Sequence, residues 1–100
     1  MSVRITRTLN ITPMYYVYIL KSKIDNELYI GFTNNLRKRL LEHNAGKSRS
    51  TNNRRPFSLI YYEAYTSRND AIHREQSLKL RGRVRRQLLL RISKSLKRDV

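Results

Sequence analysis

The sequence contains no cysteine, and glycine and proline are scarce, with three and two residues among 100. Without cysteine there is no disulfide framework and no thiolate zinc site, which excludes zinc fingers and other small cysteine-held modules. Two histidines are too few for a metal cage of imidazoles. No apolar run reaches the roughly 18 residues of a membrane-spanning helix, and the first 13 residues lack the apolar stretch of a secretory signal. We therefore expect a cytoplasmic protein without a membrane span.

Acidic residues are also few, and the charge balance is strongly positive. Seven Asp and Glu against 22 Lys and Arg give a formal net charge of +15. So small a domain repels itself unless a polyanion is near. Nucleic acid is the commonest such partner, because each neutralised phosphate releases counterions; an anionic membrane surface is the alternative. Hydrophobic residues make up 39% and tyrosines number seven, so we expect a folded core rather than a disordered polycation.

Three short segments are typical of β-strands. The runs at 15–20 and 28–31 flank a turn-forming Asp-Asn-Glu and are expected to form a hairpin with a rather long loop. The run at 57–65 repeats the aromatic and β-branched pattern. Between the second and third strands, the polar segment 46–56 is rich in lysine and arginine, and we expect it to be a mobile basic loop.

Helical patterns fill the remaining segments. The first helix is predicted over about 36–44, behind a Thr-Asn-Asn cap signal, and Gly46 is expected to end it. The second is predicted over about 68–81, where Ser67 begins a capping box. Over 83–100, apolar residues recur at helical spacing with lysine and arginine mostly off that stripe, which predicts a basic amphipathic helix. The order β-β-α-β-α-α indicates an α+β domain at 14–82, preceded by a basic tail at 1–13 and followed by this helix packed on the domain.

Two helices carry candidate functional side chains. Arg39 and His43 lie four positions apart and therefore share a helix face, beside the apolar stripe. A pair of surface residues would look the same. Glu75 falls in the middle of the apolar stripe that Ala71 and Leu78 define at about 100° per residue. A buried carboxylate needs a cation, a metal or a hydrogen-bond donor, so either an internal salt bridge to an arginine or a divalent-metal site explains it.

Taken together and in order, these motifs resemble the GIY-YIG nuclease superfamily with its URI-type domain. Within it they are similar to a group of small single-domain bacterial proteins predicted to be endonucleases. The resemblance implies a small three-stranded antiparallel sheet flanked by helices, and it covers about residues 14–82. The matching segments are Tyr16-Val17-Tyr18, Tyr29-Ile30-Gly31, Asn35-Leu36-Arg37-Lys38-Arg39-Leu40, Glu42-His43-Asn44, Ala71-Ile72-His73-Arg74-Glu75 and Leu78-Lys79.

The resemblance also implies a role for each site residue. Tyr18 and Tyr29 would bracket the attacking water, with either as the base. Arg39 would hold the scissile phosphate, and His43 would help with proton transfer or phosphate contact. Glu75 would bind one Mg²⁺ or Mn²⁺ ion. A tyrosine with an ordinary pKa of about 10 needs neighbouring positive charge to act as a base, and this basic sequence is expected to supply it.

The function expected on these grounds is metal-dependent hydrolysis of DNA phosphodiester bonds. We expect nicking guided by DNA structure, in repair, recombination or processing, by a monomer or weak dimer without a small-molecule cofactor. Whether RNA is also cut stays open. A nucleic-acid-binding module with little or no cleavage and a membrane-surface protein are the alternatives. The residues expected to contact nucleic acid are Arg37, Lys38, Lys47, Arg49, Arg54, Arg55 and Lys79.

Overall fold

The aromatic and β-branched run after Pro13 forms β1 (Tyr15–Ser22), the central strand of a three-stranded sheet. A computed structural model describes residues 13–97. β1 pairs antiparallel with β2 (Leu28–Thr33) on one side and with β3 (Phe57–Tyr65) on the other. The order β2-β1-β3 makes β2 an edge strand. The predicted α+β fold with a three-stranded antiparallel sheet is confirmed.

Side-chain caps begin the first two helices. α1 (Leu36–Asn44) begins after Asn35, whose side chain accepts a backbone N–H of the first turn at 3.1 Å. Of the three residues in the predicted cap signal, Asn35 is the cap. α2 (Arg68–Leu80) begins after Ser67, whose hydroxyl oxygen accepts a first-turn N–H at 3.2 Å. These caps fix where each helix starts and hence which residues face the sheet.

The segment predicted as one C-terminal helix contains two. α3 (Gly82–Arg91) and α4 (Ser93–Lys97) are separated by Ile92, which leaves helical geometry at φ −103° and ψ 27°. Its side chain is 9% exposed and packs in the hydrophobic core. The remainder of that segment and the predicted basic tail up to residue 12 lie outside the described residues. No helix within the described part of the chain is both long and apolar enough to cross a bilayer.

The sheet separates two hydrophobic clusters. The first combines Val17 and Ile19 of β1 with residues of α2 and α3, and we name it the α2-side cluster. The second combines Tyr18 and Leu20 with residues of α1 and β3, and we name it the α1-side cluster. Because side chains of a strand alternate between faces, β1 serves both clusters. The buried members from the other elements are Ala71, Leu78, Leu88 and Ile92 in the first cluster and Phe57 in the second.

Because of a β-bulge, β3 contributes side chains to both hydrophobic clusters. Ile19 pairs with Tyr61 and Leu20 pairs with Leu59, so Ile60 is an extra residue opposite β1. The bulge reverses the alternation of β3, and Leu59 therefore packs in the α1-side cluster while Tyr61 packs in the α2-side cluster. Consequently the two halves of β3 serve different faces of the sheet.

The basic segment between α1 and β3 has a defined path. Gly46 follows α1 with φ +78°, a left-handed conformation that favours glycine. A short 3₁₀ turn spans Asn52–Arg54, and the residue before it, Thr51, is fully buried. Within the segment expected to be a mobile basic loop, Thr51 instead lies beneath the surface beside α1.

Candidate active site

Tyr18 owes its position to a glycine on the neighbouring strand. It is 2% exposed and pairs across the hairpin with Gly31. A Cβ atom at position 31 would lie 2.3 Å from the Tyr18 ring and hydroxyl, a distance that no side chain accommodates. The glycine of the Tyr-Ile-Gly motif therefore makes room for the Tyr18 ring to lie across β2.

The Tyr18 hydroxyl contacts a buried histidine. It lies 3.0 Å from Nε2 of His43, across 25 positions of sequence. The other ring nitrogen of His43, Nδ1, lies 2.7 Å from the hydroxyl oxygen of Thr51. His43 and Thr51 are both fully buried. The three side chains form a hydrogen-bonded chain from the central strand through α1 to the basic segment, which we name the Tyr–His–Thr chain.

Burial controls the proton affinity of this chain. Burial, reinforced by the positive charge of Arg39, lowers the pKa of His43 from 6.5 to about 4, so the ring is neutral at neutral pH. Burial raises the pKa of Tyr18 to about 12, although hydrogen bonding to Arg39 opposes the rise. The positive charge expected near the tyrosines is present at Arg39, but desolvation of the phenolate outweighs it at Tyr18.

Tyr29 and Arg39 border the same centre. The Tyr29 ring meets the His43 ring edge to face, with 4.9 Å between centroids, and lies 6.3 Å from the Tyr18 ring. Arg39 lies one helical turn before His43, pairs with Glu42 at 3.3 Å, and keeps 31% of its side chain exposed. Its positive charge acts on both tyrosines. A planar guanidinium at this rim has the fork geometry that suits a phosphate.

Glu75 approaches from the opposite side of the sheet, around the edge strand β2. Its negative charge acts on Tyr18, and 18% of its side chain is exposed. The predicted internal salt bridge exists, but the partner is Lys79, whose Nζ lies 3.1 Å from Oε2 of Glu75. Lys79 also lies over the Tyr29 ring, 5.8 Å from its centroid. Glu75 is thus linked to Tyr29 through Lys79 and to Tyr18 through its charge.

The side chains at the site suit a hard divalent cation whose remaining ligands are water and phosphate oxygens. Among residues 13–97, no group of three or more His, Cys, Asp and Glu side chains could enclose a metal. Glu75 is one partly exposed carboxylate, and its charge acts on the same tyrosine, Tyr18, as that of the candidate phosphate ligand Arg39. Mg²⁺ commonly takes only one or two protein carboxylates and fills its other positions with water and phosphate oxygens. These residues therefore fit a substrate-completed Mg²⁺ or Mn²⁺ site and do not form a preassembled cage.

Comparison with known families identifies the domain. The model of the GIY-YIG catalytic domain matches residues 14–87. The chain belongs to the GIY-YIG family. The match begins before β1 and extends into α3, so it includes every element that contributes to the cluster around Tyr18. GIY-YIG domains form a nuclease family, which makes nucleic acid the class of substrate that the domain implies.

Individual relatives of this GIY-YIG protein are small bacterial proteins. It is 47% identical over 66 residues to the UPF0213 protein SH2523 of Staphylococcus haemolyticus, which covers 65% of this chain and 79% of that protein. It is 44% identical over 87 residues to the UPF0213 protein CPE1444 of Clostridium perfringens, covering 86% and 91%. The solution NMR structure of the UPF0213 protein BH0048 from Bacillus halodurans is 36% identical, with a TM-score of 0.49 and coverage of 76% of this chain and 82% of that one.

The seven basic residues expected to contact nucleic acid divide into two groups. Lys79 and Arg54 are engaged within the GIY-YIG domain: Lys79 pairs with Glu75, while Arg54 pairs with Asp25 at 3.0 Å and lies 5.5 Å from the Phe57 ring centroid. The other five are exposed on α1 or on the segment that follows it. These exposed residues are Arg37, Lys38, Lys47, Arg49 and Arg55.

Two side chains near the candidate site, Thr51 and Glu63, were not predicted from the sequence. Thr51 lies in a polar segment whose composition gives no sign of burial, so no local signal could have identified it. Glu63 had a signal, because Tyr61, Glu63 and Tyr65 alternate and therefore share a strand face. Both tyrosine hydroxyls donate to Glu63, and Arg74 donates from Nε and Nη2 at 2.9 and 3.0 Å. We name these four residues the Glu63 clamp; it joins β3 to α2 one residue before Glu75.

Proposed function

We propose that this GIY-YIG protein is a metal-dependent endonuclease that hydrolyses phosphodiester bonds of DNA. The observation that supports it best is the convergence of five side chains from four elements. Tyr18 and Tyr29 come from the hairpin, Arg39 and His43 from α1, and Glu75 from α2. Ring contacts and hydrogen bonds link Tyr18, Tyr29 and His43, and the charges of Arg39 and Glu75 act on Tyr18, which supports a common centre at the edge strand. Binding nucleic acid would not require a carboxylate within this otherwise basic cluster.

The arrangement suits hydrolysis because phosphate charge increases as water attacks. The water oxygen bonds to phosphorus while the bond from phosphorus to the 3′ oxygen breaks, leaving a 5′-phosphate and a 3′-hydroxyl. Tyr18 or Tyr29, after losing its hydroxyl proton to solvent, takes one water proton on its phenolate oxygen, and the leaving 3′ oxygen takes a proton from solvent. Arg39 binds the phosphate and stabilises its added charge without reorganisation. GIY-YIG nucleases generally use divalent metal ions, and Mg²⁺ or Mn²⁺ held by Glu75 supplies further stabilisation of that charge when bound.

One site per chain predicts nicks rather than paired cuts, since each strand of a duplex needs its own hydrolysis. The exposed lysines and arginines on α1 and on segment 46–56 contact phosphates, which position DNA without reading its sequence. We therefore propose that DNA structure guides the cut, in repair, recombination or processing. RNA is a second candidate substrate, because phosphate contacts alone do not distinguish the two.

A cleavage assay tests the proposal. End-labelled branched, flapped, single-stranded and duplex DNA are incubated with the parent or with Glu75→Gln, each in Mg²⁺, Mn²⁺ or EDTA. The parent should cut only with metal, and the variant should lose on the order of 10²–10³ in rate. Glu27→Gln is the matched control, because it removes the same charge from an exposed turn residue and should cut like the parent.

Two results would contradict the proposal in different ways. Parent protein that binds DNA but leaves it intact with either metal would favour the nucleic-acid-binding module. Cutting that persists in Glu75→Gln would indicate a contaminating nuclease or a different centre. Comparing Tyr18→Phe with Tyr29→Phe in the same assay then identifies the base, since the base hydroxyl should matter more for kcat than for KM.

A further inference from the structure

The Tyr–His–Thr chain connects the centre to a residue with no assigned role. Thr51 lies on the basic segment, eight positions after His43, and its hydroxyl contacts Nδ1 of His43 at 2.7 Å. Both residues are fully buried, so water does not substitute for this contact. A neutral imidazole carries one proton, so one ring nitrogen donates and the other accepts. The hydrogen bond at Thr51 therefore bears on whether Nε2, the nitrogen that faces Tyr18, donates or accepts.

The contacts of His43 with its two buried hydroxyl neighbours distinguish the two tautomers. If Nδ1 carried the proton, that proton would point at Thr51, and the Thr51 proton would lose the acceptor nearest to it. If Nδ1 is unprotonated, Thr51 donates to Nδ1, and Nε2–H donates to the Tyr18 oxygen 3.0 Å away. The first arrangement would instead let Tyr18 donate to Nε2, so the two hydroxyls compete for the single unprotonated nitrogen. The distances favour the second arrangement, because hydroxyl donors make shorter hydrogen bonds than N–H donors, and the contact at Thr51 is the shorter one, 2.7 Å against 3.0 Å.

We infer that Thr51 is a positioning residue that holds His43 in the Nε2–H tautomer, so that His43 donates a hydrogen bond to the Tyr18 oxygen. The inference deepens the proposed nuclease function and rests on it for its catalytic consequence. The Tyr18 proton is then directed away from the ring of His43, and a Tyr18 phenolate would receive donors from both His43 and Arg39. Donors aimed at the charged form favour it, which opposes the burial that disfavours the phenolate.

The tautomer is measured directly, without any activity. Histidine-selective ¹⁵N labelling gives only two side chains to assign, since the sequence has two histidines, and His73→Gln identifies the signals of His43. Long-range proton–nitrogen correlation at pH 7 should show a protonated Nε2 and an unprotonated Nδ1 for His43. A proton on Nδ1 in the parent would overturn the inference, because Thr51 would then accept rather than donate.

Two variants separate the hydroxyl from the volume it occupies. Thr51→Ser keeps the donor and should keep the parent tautomer. Thr51→Val keeps the shape and removes the donor, and it should show a measurable population with the proton on Nδ1. An unchanged tautomer in Thr51→Val would overturn the inference. If the valine variant fails to fold, the parent and serine spectra still decide the direction of the hydrogen bond.

The catalytic consequence is a separate measurement on the same proteins. Thr51→Val should lower kcat about tenfold at unchanged KM, which corresponds to the loss of one hydrogen bond, and Thr51→Ser should recover most of the parent kcat. Equal losses in the serine and valine variants would assign Thr51 a role in folding only. If the parent cuts no nucleic acid, the proposed function fails while the tautomer spectra still decide whether Thr51 positions His43.

Discussion

Acidification from pH 7 to pH 5 should remove about 2 kcal/mol of folding stability through His43 alone. Its pKa is about 4 in the folded protein against an ordinary 6.5, because burial disfavours the charged ring. As pH falls, the unfolded chain therefore takes up a proton first. The stability that depends on neutral His43 is complete above pH 6.5 and is lost progressively as pH falls toward 4. Integrating both titrations between pH 7 and 5 gives the figure of about 2 kcal/mol.

Urea unfolding followed by circular dichroism at half-unit steps from pH 5 to 7.5 measures this loss. Glu63 does not interfere, because it keeps its contribution above its ordinary pKa of 4.5 and loses it only as pH falls through its lowered folded value. His43→Gln should flatten the dependence by about 2 kcal/mol. The control His73→Gln changes an exposed residue and should leave it unaltered. Equal pH dependence in all three proteins would refute the claim that His43 is held neutral by burial.

Further changes test other contacts of the site. Gly31→Ala should displace the ring of Tyr18, lowering thermal stability and nearly abolishing cleavage, because the new Cβ would lie 2.3 Å from that ring; parent-like cleavage would contradict the packing argument. Arg74→Met should cost about 1.5–3 kcal/mol in urea unfolding, since Glu63 loses two charge-assisted hydrogen bonds but keeps both tyrosine donors; a smaller loss in the Glu63→Gln, Arg74→Met double variant than the sum of the single losses would confirm the pairing. Lys79→Gln should tighten Mn²⁺ binding about 3- to 10-fold by isothermal titration, because a cation that competes with the metal is removed; a lysine-to-glutamine change in α4 should not.

Residue patterns and cap chemistry were sufficient to predict the three strands, α1 and α2 from sequence, while the three-stranded antiparallel sheet was implied by the family resemblance. The β-bulge was not predictable, because the run 57–65 is aromatic or apolar on both sides of Ile60 and its alternation gives no unique register. The break between α3 and α4 at Ile92 was not predictable for a similar reason. Its side chain falls on the predicted apolar stripe whether or not the helix continues, so the pattern does not distinguish one helix from two.

The candidate site was predictable as a set of residues but not as an electrostatic environment. Motif spacing identified Tyr18 and His43, yet the buried contact that joins them spans 25 positions and depends on the fold. Net charge suggested that the tyrosines would be easy to ionise, whereas the local cost of burial dominates at Tyr18. Thr51 became visible only through its contact with His43, since a threonine among serine, asparagine and arginine resembles any surface residue.

Because β1 contributes side chains to both faces of the sheet, it restricts where the chain tolerates changes in length. Inserting or deleting one residue within β1 would exchange its two faces, turning Val17 and Ile19 toward α1 and moving Tyr18 away from His43. Both hydrophobic clusters and the Tyr–His–Thr chain would be lost together. The exposed turn between β1 and β2, at 23–27, carries no member of either cluster. Natural or engineered length variation in this protein should therefore accumulate in that turn, and β1 should keep a constant length.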